Sequence, residues 1–314
     1  MLLLYRGENF DANFYYHTGI DIDHAFFIAT KSKRFLFVPA LNERTAKSKF
    51  VGDVVVYRNS LETLKPYISG NIVFVDYSSV NARFIEKIKK ICKPKDVSVE
   101  LLKARIVKKS DEVTKIKKAV AHTKKVFDML DLKVAKTEID VKKQILIATA
   151  EFGLEPAFNP IVSTGRNTVY PHHISGNAKL KSIVLVDYGV RYQHYCSDIT
   201  RCFILDGDKK KKTQYEQLQN ICHSIVDELP DLKTGKKVAV SAKSMMQTAG
   251  FPDMPHAIGH GVGLDIHEMP KLNFKSNHKL TNAVIAIEPS FYLAKYGMRF
   301  EETIFCNGKK AQIL

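Results

Sequence analysis

Cysteine is sparse in this sequence and follows no pattern. The five cysteines are scattered over 314 residues, and none forms a CxxC pair. An odd, dispersed set argues against a disulfide framework and for a reducing compartment, so we expect a cytoplasmic protein. No apolar run approaches membrane-spanning length, and the apolar start Met1–Tyr5 is too short for a signal-peptide core.

Repeats at solenoid periods and low-complexity tracts are also absent, which argues against repeat and fibrous architectures. What remains is an ordinary globular composition, with 45% hydrophobic and 26% charged residues. A length of 314 residues corresponds to about two domains and is ample for buried cores.

Acidic residues are few relative to basic ones, 33 against 48, which gives a net charge of +15. Such an excess is typical of nucleic-acid or anionic-membrane binding. The lysines are spread along the chain, however, and no zinc-finger or RNA-recognition signature accompanies them. We interpret them as a solvated surface and expect neither a nucleic-acid nor a membrane partner. Nucleic-acid binding stays an alternative that steeply salt-dependent affinity would reveal.

The first hundred residues have the pattern of a small α/β unit. Short β-type runs alternate with segments whose apolar residues have helical spacing. The predicted strands are Ala25–Ala29, Phe35–Ala40, Val54–Tyr57 and Ile72–Val75, and the predicted helices are Asn42–Phe50 and Val80–Cys92.

The remainder of the chain begins with two predicted helices. Ser110 is the expected cap of a long one, and Thr137 caps a second that ends near Gly153. Beyond residue 161, β-type runs alternate with helical regions at about 215–229 and 238–249. The polar stretch Lys108–Asp111, which leads into the long helix at Ser110, predicts a domain boundary that separates residues 1–105 from 106–314.

Two acids lie in neighbouring strand-like segments, Asp187 in Ile183–Gly189 and Asp198 in Tyr195–Phe203. If the chain turns about Tyr192 and Gln193, the two acids face each other. Facing like charges destabilise a sheet, and a buried unpaired carboxylate is costly. We therefore expect a positive group between them.

The same arrangement recurs near the C-terminus. A turn near residues 294–295 would set Glu288 opposite Glu301. A salt bridge is the simpler interpretation of any single buried acid. The nearby cations Arg201 and Arg299 can neutralise at most two of the four acids, so this interpretation does not cover the set.

A glycine-rich segment, 255–270, carries three histidines, His256, His260 and His267. One histidine alone is best interpreted as structural, but beside four acids the segment indicates metal ligation or proton handling. Four carboxylates and one imidazole suit two divalent ions, Mn²⁺, Co²⁺, Fe²⁺ or Zn²⁺ rather than Cu(I) or an iron–sulfur cluster. Two such ions can share and activate a water.

Together these segments resemble the pita-bread metallopeptidases, peptidase family M24, and most of all the Xaa-Pro dipeptidases (prolidases) and aminopeptidase P. The resemblance is strong over 105–314 and weaker over 1–100, where Asn13–Gly19 resembles a creatinase-type N-terminal domain. The motifs that carry it are Val186–Gly189, Ser197–Arg201, His256–Gly263 with His267–Glu268, Ile287–Pro289 and Arg299–Glu302.

The resemblance implies an α/β (α+β) fold. Residues 1–105 would form a small creatinase-like N-terminal domain, trimmed at its start because Met1–Tyr5 already reads as its first strand. Residues 106–314 would form the pita-bread catalytic domain. A homodimer is implied as well, although the trimmed start weakens that expectation.

The resemblance also implies a ligand set for two divalent ions per subunit, Mn²⁺ or Co²⁺ first and Zn²⁺ or Fe²⁺ as alternatives. Asp187 would bind one ion, and His260 and Glu288 the other. Asp198 and Glu301 would bridge both. Glu288 would in addition act as general base on a bridging water or hydroxide.

Three further residues receive roles from the resemblance. His172 would lie near the substrate and its leaving group, and His267 would steady the tetrahedral intermediate. Arg299 would either orient the ligand carboxylates or contact the substrate. His172 and His267 are thus expected at the substrate, and Arg299 is a further candidate for substrate binding.

The function implied is an Xaa-Pro dipeptidase acting on small peptides. The first alternative is aminopeptidase P activity on longer peptides. Methionine aminopeptidase shares the five ligands but normally lacks such an N-terminal domain. A non-catalytic, peptide- or protein-binding pita-bread protein is a further alternative, although relatives of that kind generally lose metal ligands.

Overall fold

A computed structural model describes all 314 residues and divides the chain into two compact units, Met1–Arg105 and Ile106–Leu314. All five cysteines are buried and free. No helix combines the length and the apolar character needed to cross a bilayer.

The first unit is a six-stranded mixed sheet in the spatial order β4-β3-β2-β1-β5-β6. Its strands are β1 (Leu2–Arg6), β2 (Ala25–Ala29), β3 (Arg34–Pro39), β4 (Asp53–Tyr57), β5 (Ile72–Val75) and β6 (Lys93–Asp96). Its helices are α1 (Ala12–Thr18), α2 (Glu43–Lys49), α3 (Ser60–Ile68), α4 (Ala82–Lys89) and α5 (Ser98–Ala104). The four predicted strands and two predicted helices are therefore confirmed, whereas α1, α3, α5 and β6 were not predicted.

Neighbouring residues of the central strands point to opposite sides of this sheet, and both sets are buried in apolar clusters. Leu3 and Phe26 belong to one apolar cluster, which includes Leu64 of α3. Leu4 and Phe27 belong to the other. The unit therefore has two cores, one on each side of the sheet.

The second unit begins with two helices and then alternates strands with two longer helices. The helices are α6 (Ser110–Asp128), α7 (Glu138–Glu151), α8 (Lys209–Leu232) and α9 (Gly235–Thr248). The strands are β7 (Glu155–Pro156), β8 (Ile161–Thr164), β9 (Ile183–Tyr188), β10 (Val190–Tyr192), β11 (Tyr195–Cys196), β12 (Ile199–Ile204), β13 (Gly259–Gly261), β14 (Glu268–Leu272), β15 (Ala283–Ile287), β16 (Ser290–Tyr292), β17 (Gly297–Arg299), β18 (Glu302–Cys306) and β19 (Ala311–Ile313).

Two sheets of this unit position the candidate site. One has the order β12-β9-β8, and the other has the order β14-β13-β15-β18-β19. One apolar cluster packs the second sheet against α8 and α9, and another packs β9 against α6 and α7. Helices thus support the strands from behind and leave the polar faces of the hairpins for the site.

The helix starts test the two predicted caps. Thr137 is confirmed as a cap, since its hydroxyl accepts from the Asp140 N–H at 3.3 Å and the Asp140 carboxylate accepts from the Thr137 N–H at 3.0 Å. Ser110 as a cap is wrong, because α6 begins at Ser110 itself. There the Glu112 carboxylate accepts from the Lys109 N–H at 2.8 Å, so an acid in the first turn performs the function expected of the serine.

Candidate metal centre

The first acid-bearing hairpin turns one residue later than predicted. Gln193 and His194 occupy the turn, with φ angles of 48° and 71°. Asp187 therefore pairs with Thr200, and the same register places Asp198 across from Gly189. The prediction that the two acids face each other directly is wrong. They are diagonal neighbours on one face, close enough for their side chains to meet.

Gly189 has to be glycine in this register. A Cβ atom added to it would lie 1.7 Å from the carbonyl oxygen of Ser197. The backbones of the two strands therefore approach closely where Asp198 leaves the hairpin. This approach helps to bring the Asp198 carboxylate to the face that Asp187 occupies.

The second hairpin has the predicted register. Ile287 pairs with Glu302, and Ser290 pairs with Arg299. The residues between these pairs, Glu288 and Glu301, therefore lie opposite each other. That part of the prediction is confirmed.

Hydroxyl groups connect the two hairpins. The Thr200 hydroxyl donates to the Glu301 carboxylate at 2.6 Å, and the Glu301 N–H donates to the Thr200 carbonyl at 3.3 Å. The Thr303 hydroxyl accepts from the Asp198 N–H at 3.1 Å and donates to the Asp198 carbonyl at 2.7 Å. These bonds hold both pairs of acids against one another.

His260 is brought to the acids by β13, whose flanking glycines permit close packing. A Cβ atom at Gly259 would lie 1.9 Å from the Ala286 carbonyl oxygen. The Nδ1 atom of His260 lies 3.0 Å from the carbonyl oxygen of Gly261, which can only accept, so Nδ1 carries the proton. Its Nε2 atom lies 3.5 Å from the Asp198 carboxylate and presents a free lone pair to the acids.

The five residues predicted as metal ligands come together in overlapping groups. The ligand atoms of Asp187, Asp198 and Glu301 lie within 4.8 Å of one another, and so do those of His260, Glu288 and Glu301. A third such group joins Asp198 and His260 to His267. Glu301 belongs to the first two groups, Asp198 to the first and third, and His260 to the second and third, so the three groups form one continuous cluster.

The electrostatics of this cluster are those of an acid-rich site with fewer cations than acids, since Arg299 is the cation that pairs with it. Burial, and then the neighbouring carboxylates, raise the pKa values of Asp198 and Glu301 well above their ordinary range. Burial also raises the pKa of Glu288 to about 7. Burial lowers the pKa of His260 to about 3, so its imidazole stays neutral, as a metal ligand must be.

The residues therefore fit divalent cations. One carboxylate oxygen of Asp187 and one of Asp198 are buried without a hydrogen-bond partner. Arg201 pairs with Glu302 and not with any of the four acids. Arg299 forms a direct ion pair only with Asp187, which leaves the other three acids without one. Hard oxygen ligands with one imidazole suit ions such as Mn²⁺ or Zn²⁺.

Arg299 is buried behind the cluster, with 4% of its surface exposed. Its guanidinium donates to the Asp187 carboxylate and, at 3.0 Å, to the Thr200 hydroxyl. Of the two roles left open for it, orienting the ligand carboxylates is the one that these contacts support.

The other two predicted residues line a cavity of about 560 Å³ in front of the cluster. His172 is exposed there, on the segment that follows β8. The His267 ring lies edge-on to the His260 ring, with 4.3 Å between centroids. The cavity thus brings together every residue that the sequence assigned to the site.

Two more residues of the cavity were not assigned from the sequence. His256 lies 2.9 Å from the Ser290 hydroxyl through Nε2, and its Nδ1 atom is 3.8 Å from the Glu288 carboxylate. Lys271 of β14 lines the same cavity with an exposed side chain. The histidine segment contained a signal for His256, but an isolated lysine in a lysine-rich chain carries none.

The pKa of Glu288 predicts how metal-free stability depends on pH. Its folded pKa of about 7 exceeds the ordinary 4.5, so stability from this group is present below pH 4.5 and is lost as the pH rises through about 7. We expect chelator-treated Glu288→Gln to melt above the wild type at about pH 8, with the difference shrinking at about pH 5. Calorimetry of both proteins measures this, and a difference independent of pH would contradict it.

Comparisons with known proteins add to this geometry. Residues 114–307 match Metallopeptidase family M24, and residues 2–107 match the Creatinase/Prolidase N-terminal domain. The Xaa-Pro dipeptidase of Pyrococcus horikoshii is 29% identical over 313 residues, covering 95% of this chain and 89% of that protein. A putative Xaa-Pro aminopeptidase of Mycoplasma genitalium is also 29% identical, over 320 residues that cover 96% of this chain and 89% of that protein.

A solved structure, the prolidase from Pyrococcus furiosus, has a TM-score of 0.91 with 25% sequence identity. The match covers 99% of this chain and 95% of that one. The predicted fold class, a creatinase-type α/β domain followed by a pita-bread metallopeptidase domain, is therefore confirmed, and so is the resemblance on which it was based.

Proposed function

Because this chain belongs to metallopeptidase family M24, we propose that it is an Xaa-Pro dipeptidase that works with two divalent metal ions. The observation that carries this proposal is the overlap of two ligand groups at Glu301. One group contains Asp187 and Asp198, and the other contains His260 and Glu288. Activity as a metal-dependent hydrolase follows from the family, whereas the substrate and the number of ions are proposed.

Each of the five residues has a part in holding the ions. Asp187 would hold one ion, and His260 through Nε2, together with Glu288, would hold the other. Asp198 and Glu301 would be shared, and Mn²⁺ or Co²⁺ would suit this set best, with Zn²⁺ or Fe²⁺ as alternatives. Bound there, such ions would supply Lewis-acid chemistry, lowering the pKa of the attacking water and polarising the scissile carbonyl.

Proton transfer falls to the side chains around the cluster. The Glu288 carboxylate would accept the proton of the attacking water, as a base next to the reacting atoms does. His267 would donate a hydrogen bond to the developing oxyanion. His172, at the open side of the cavity, would protonate the departing nitrogen of proline.

The cavity also has features that suit proline and a free C-terminus. The scissile amide of Xaa-Pro has no N–H, so shape and carboxylate recognition must replace a hydrogen bond to that group. Phe158, Ile161 and Pro171 supply apolar walls. Lys271 supplies an exposed cation in the cavity wall, which favours a dipeptide whose proline carboxylate lies in the cavity.

Aminopeptidase P activity is the second candidate, since relatives of similar identity carry both names. A binding role without catalysis is disfavoured, because all five ligand residues are present and adjacent. The homodimer and the cytoplasmic location stay predictions.

The decisive assay is hydrolysis of Met-Pro, Ala-Pro and a longer Xaa-Pro-Xaa peptide by the purified protein with Mn²⁺, Co²⁺ or Zn²⁺. A chelator serves as the control. Cleavage of the dipeptides alone, abolished by chelator, is the expected result. Cleavage of the longer peptide would move the assignment to aminopeptidase P. If metal is bound and no Xaa-Pro peptide is cleaved, the proposal fails and peptides that begin with Met are tested next.

Lys271→Met tests whether Lys271 recognises the carboxylate of the dipeptide. We expect the KM for Ala-Pro to rise roughly 10-fold or more, because a charge-assisted hydrogen bond contributes about 1.5–3 kcal/mol, while kcat changes less. Steady-state kinetics of the variant measure this, with exposed Lys275→Met as the matched control. An unchanged KM for the dipeptide would remove Lys271 from substrate recognition.

A further inference from the structure

Glu138 carries a fully buried carboxylate away from the acid cluster, with 0% of its surface exposed. It lies in the first turn of α7, immediately after the capping residue Thr137. A charge at that depth is costly unless hydrogen bonds compensate it. The compensation is complete here, because the two carboxylate oxygens accept from four separate donors.

All four donors belong to one stretch of chain, residues 164–176. One oxygen accepts from the Thr164 N–H at 2.8 Å and from the Asn167 amide at 2.9 Å. The other accepts from the Gly176 N–H at 2.9 Å and from His173 Nε2 at 2.8 Å. One side chain therefore ties together the first residue, the last residue and two interior side chains of this stretch.

The stretch holds little regular structure of its own. It contains one short 3₁₀ turn, Gly165–Val169, and no strand beyond the end of β8. Segments of this kind usually open more easily than the sheets that flank them. The Glu138 carboxylate supplies hydrogen bonds that hold this stretch where no strand pairing does so.

His172 stands on this stretch, next to His173. Its imidazole lines the cavity in front of the acid cluster but makes no hydrogen bond. No hydrogen bond to the His172 ring therefore fixes its orientation. The position of His172 depends on its backbone. The Thr168 and Ser175 hydroxyls tie that backbone to its neighbours by accepting from the Gly297 and Val162 N–H groups. The Glu138 carboxylate holds both of its ends.

We propose that Glu138 is the positioning residue for His172, acting through His173 and the backbone at both ends of residues 164–176. The catalytic role given to His172 rests on the function proposed above. The hydrogen bonds of Glu138 are independent of that function.

Glutamine is a poor replacement for Glu138 in this position. Its amide oxygen could still accept from two donors, but in either orientation its NH₂ group would point a hydrogen at a backbone N–H, that of Gly176 or that of Thr164, which cannot accept. That N–H would lose its acceptor. The stretch would have to move to satisfy it, and misplacing a catalytic group by about 1 Å costs roughly 100-fold in rate.

The test is a double-mutant cycle on Ala-Pro hydrolysis with Glu138→Gln and His172→Ala. We expect Glu138→Gln to lower kcat roughly 10–100-fold in the wild-type background, with the KM changed less and the metal content unchanged. In the His172→Ala background it should lower kcat little further, because residues that act through one another are not additive. Additive losses in the cycle would overturn the proposal, since they would mean that Glu138 acts independently of His172.

Two further measurements keep the proposal testable if Glu138→Gln folds poorly or if no Xaa-Pro peptide is cleaved. His173→Gln retains a donor for Glu138 and should keep most of the activity, whereas His173→Ala should not. The ring resonances of His172, assigned by its own substitution, should shift or broaden in the NMR spectrum of Glu138→Gln and of His173→Ala but not of His173→Gln. Unchanged His172 resonances in all of these variants would overturn the positioning role, whatever the substrate proves to be.

Discussion

Asp198→Asn will abolish peptidase activity and metal retention together. Asp198 is 4% exposed, and one of its carboxylate oxygens is buried without a donor. Its ligand atom lies within 4.8 Å of those of Asp187 and Glu301, and also within 4.8 Å of that of His260. Loss of this carboxylate would therefore weaken the proposed sites of both ions. We expect activity to fall more than about 10³-fold, beyond the roughly 10–100-fold that loss of an outer partner of a ligand costs.

Activity and bound metal are measured on the same preparation of Asp198→Asn. Asp253→Asn is the matched control, because Asp253 forms an exposed pair with Lys243 and should affect neither quantity. The metal-free variant should melt above the metal-free wild type at neutral pH, since the substitution removes one of several buried acids that repel each other. A variant that kept both metal and activity would remove Asp198 from the bridging position.

His267→Ala should retain metal but lose most turnover. The imidazole stands at the edge of the cavity, partly exposed, and its ring packs edge-on against that of His260. From there it can reach an oxyanion that forms in front of the acid cluster. Removing one oxyanion donor costs roughly 10²–10³-fold in kcat, and we expect a loss in that range.

The metal content of His267→Ala decides between two positions for this residue. Its ligand atom also lies within 4.8 Å of those of Asp198 and His260, so direct ligation is the competing possibility. Loss of one metal equivalent would make His267 a ligand. His278→Ala is a suitable control, because its side chain makes no hydrogen bond and lies outside the cavity lining.

The types and spacing of residues predicted much of the fold and of the site. Apolar residues surround Glu288 and Glu301, and the connection between the two strands is short. A hairpin with its turn midway between the two acids was therefore predictable, and the observed register has Glu288 opposite Glu301. Four acids among apolar neighbours indicated a need for cations before any coordinates were known, because burial of unpaired charge is costly. The glycines beside His260 indicated close backbone packing, which the strands on either side of it have.

Other features depended on contacts between distant segments. The turn at Gln193 and His194 uses left-handed conformations that favour Asn, Asp or Gly, so the local sequence gave no sign of it, and the register of Asp187 was misplaced. Arg299 had two possible roles until its guanidinium was found on Asp187, 112 residues away.

The amino-acid sequence by itself determined the chemistry of this protein, namely which side chains can hold cations and move protons, and the strands that carry them. Only the tertiary structure decided which of those side chains meet and what holds them in place. Lys271 in the cavity and Glu138 beneath the His172 segment are residues of this second kind. The physical reason is that burial and hydrogen bonding between remote segments set the environment of a charge, whereas sequence spacing reports only on neighbours along a helix or strand.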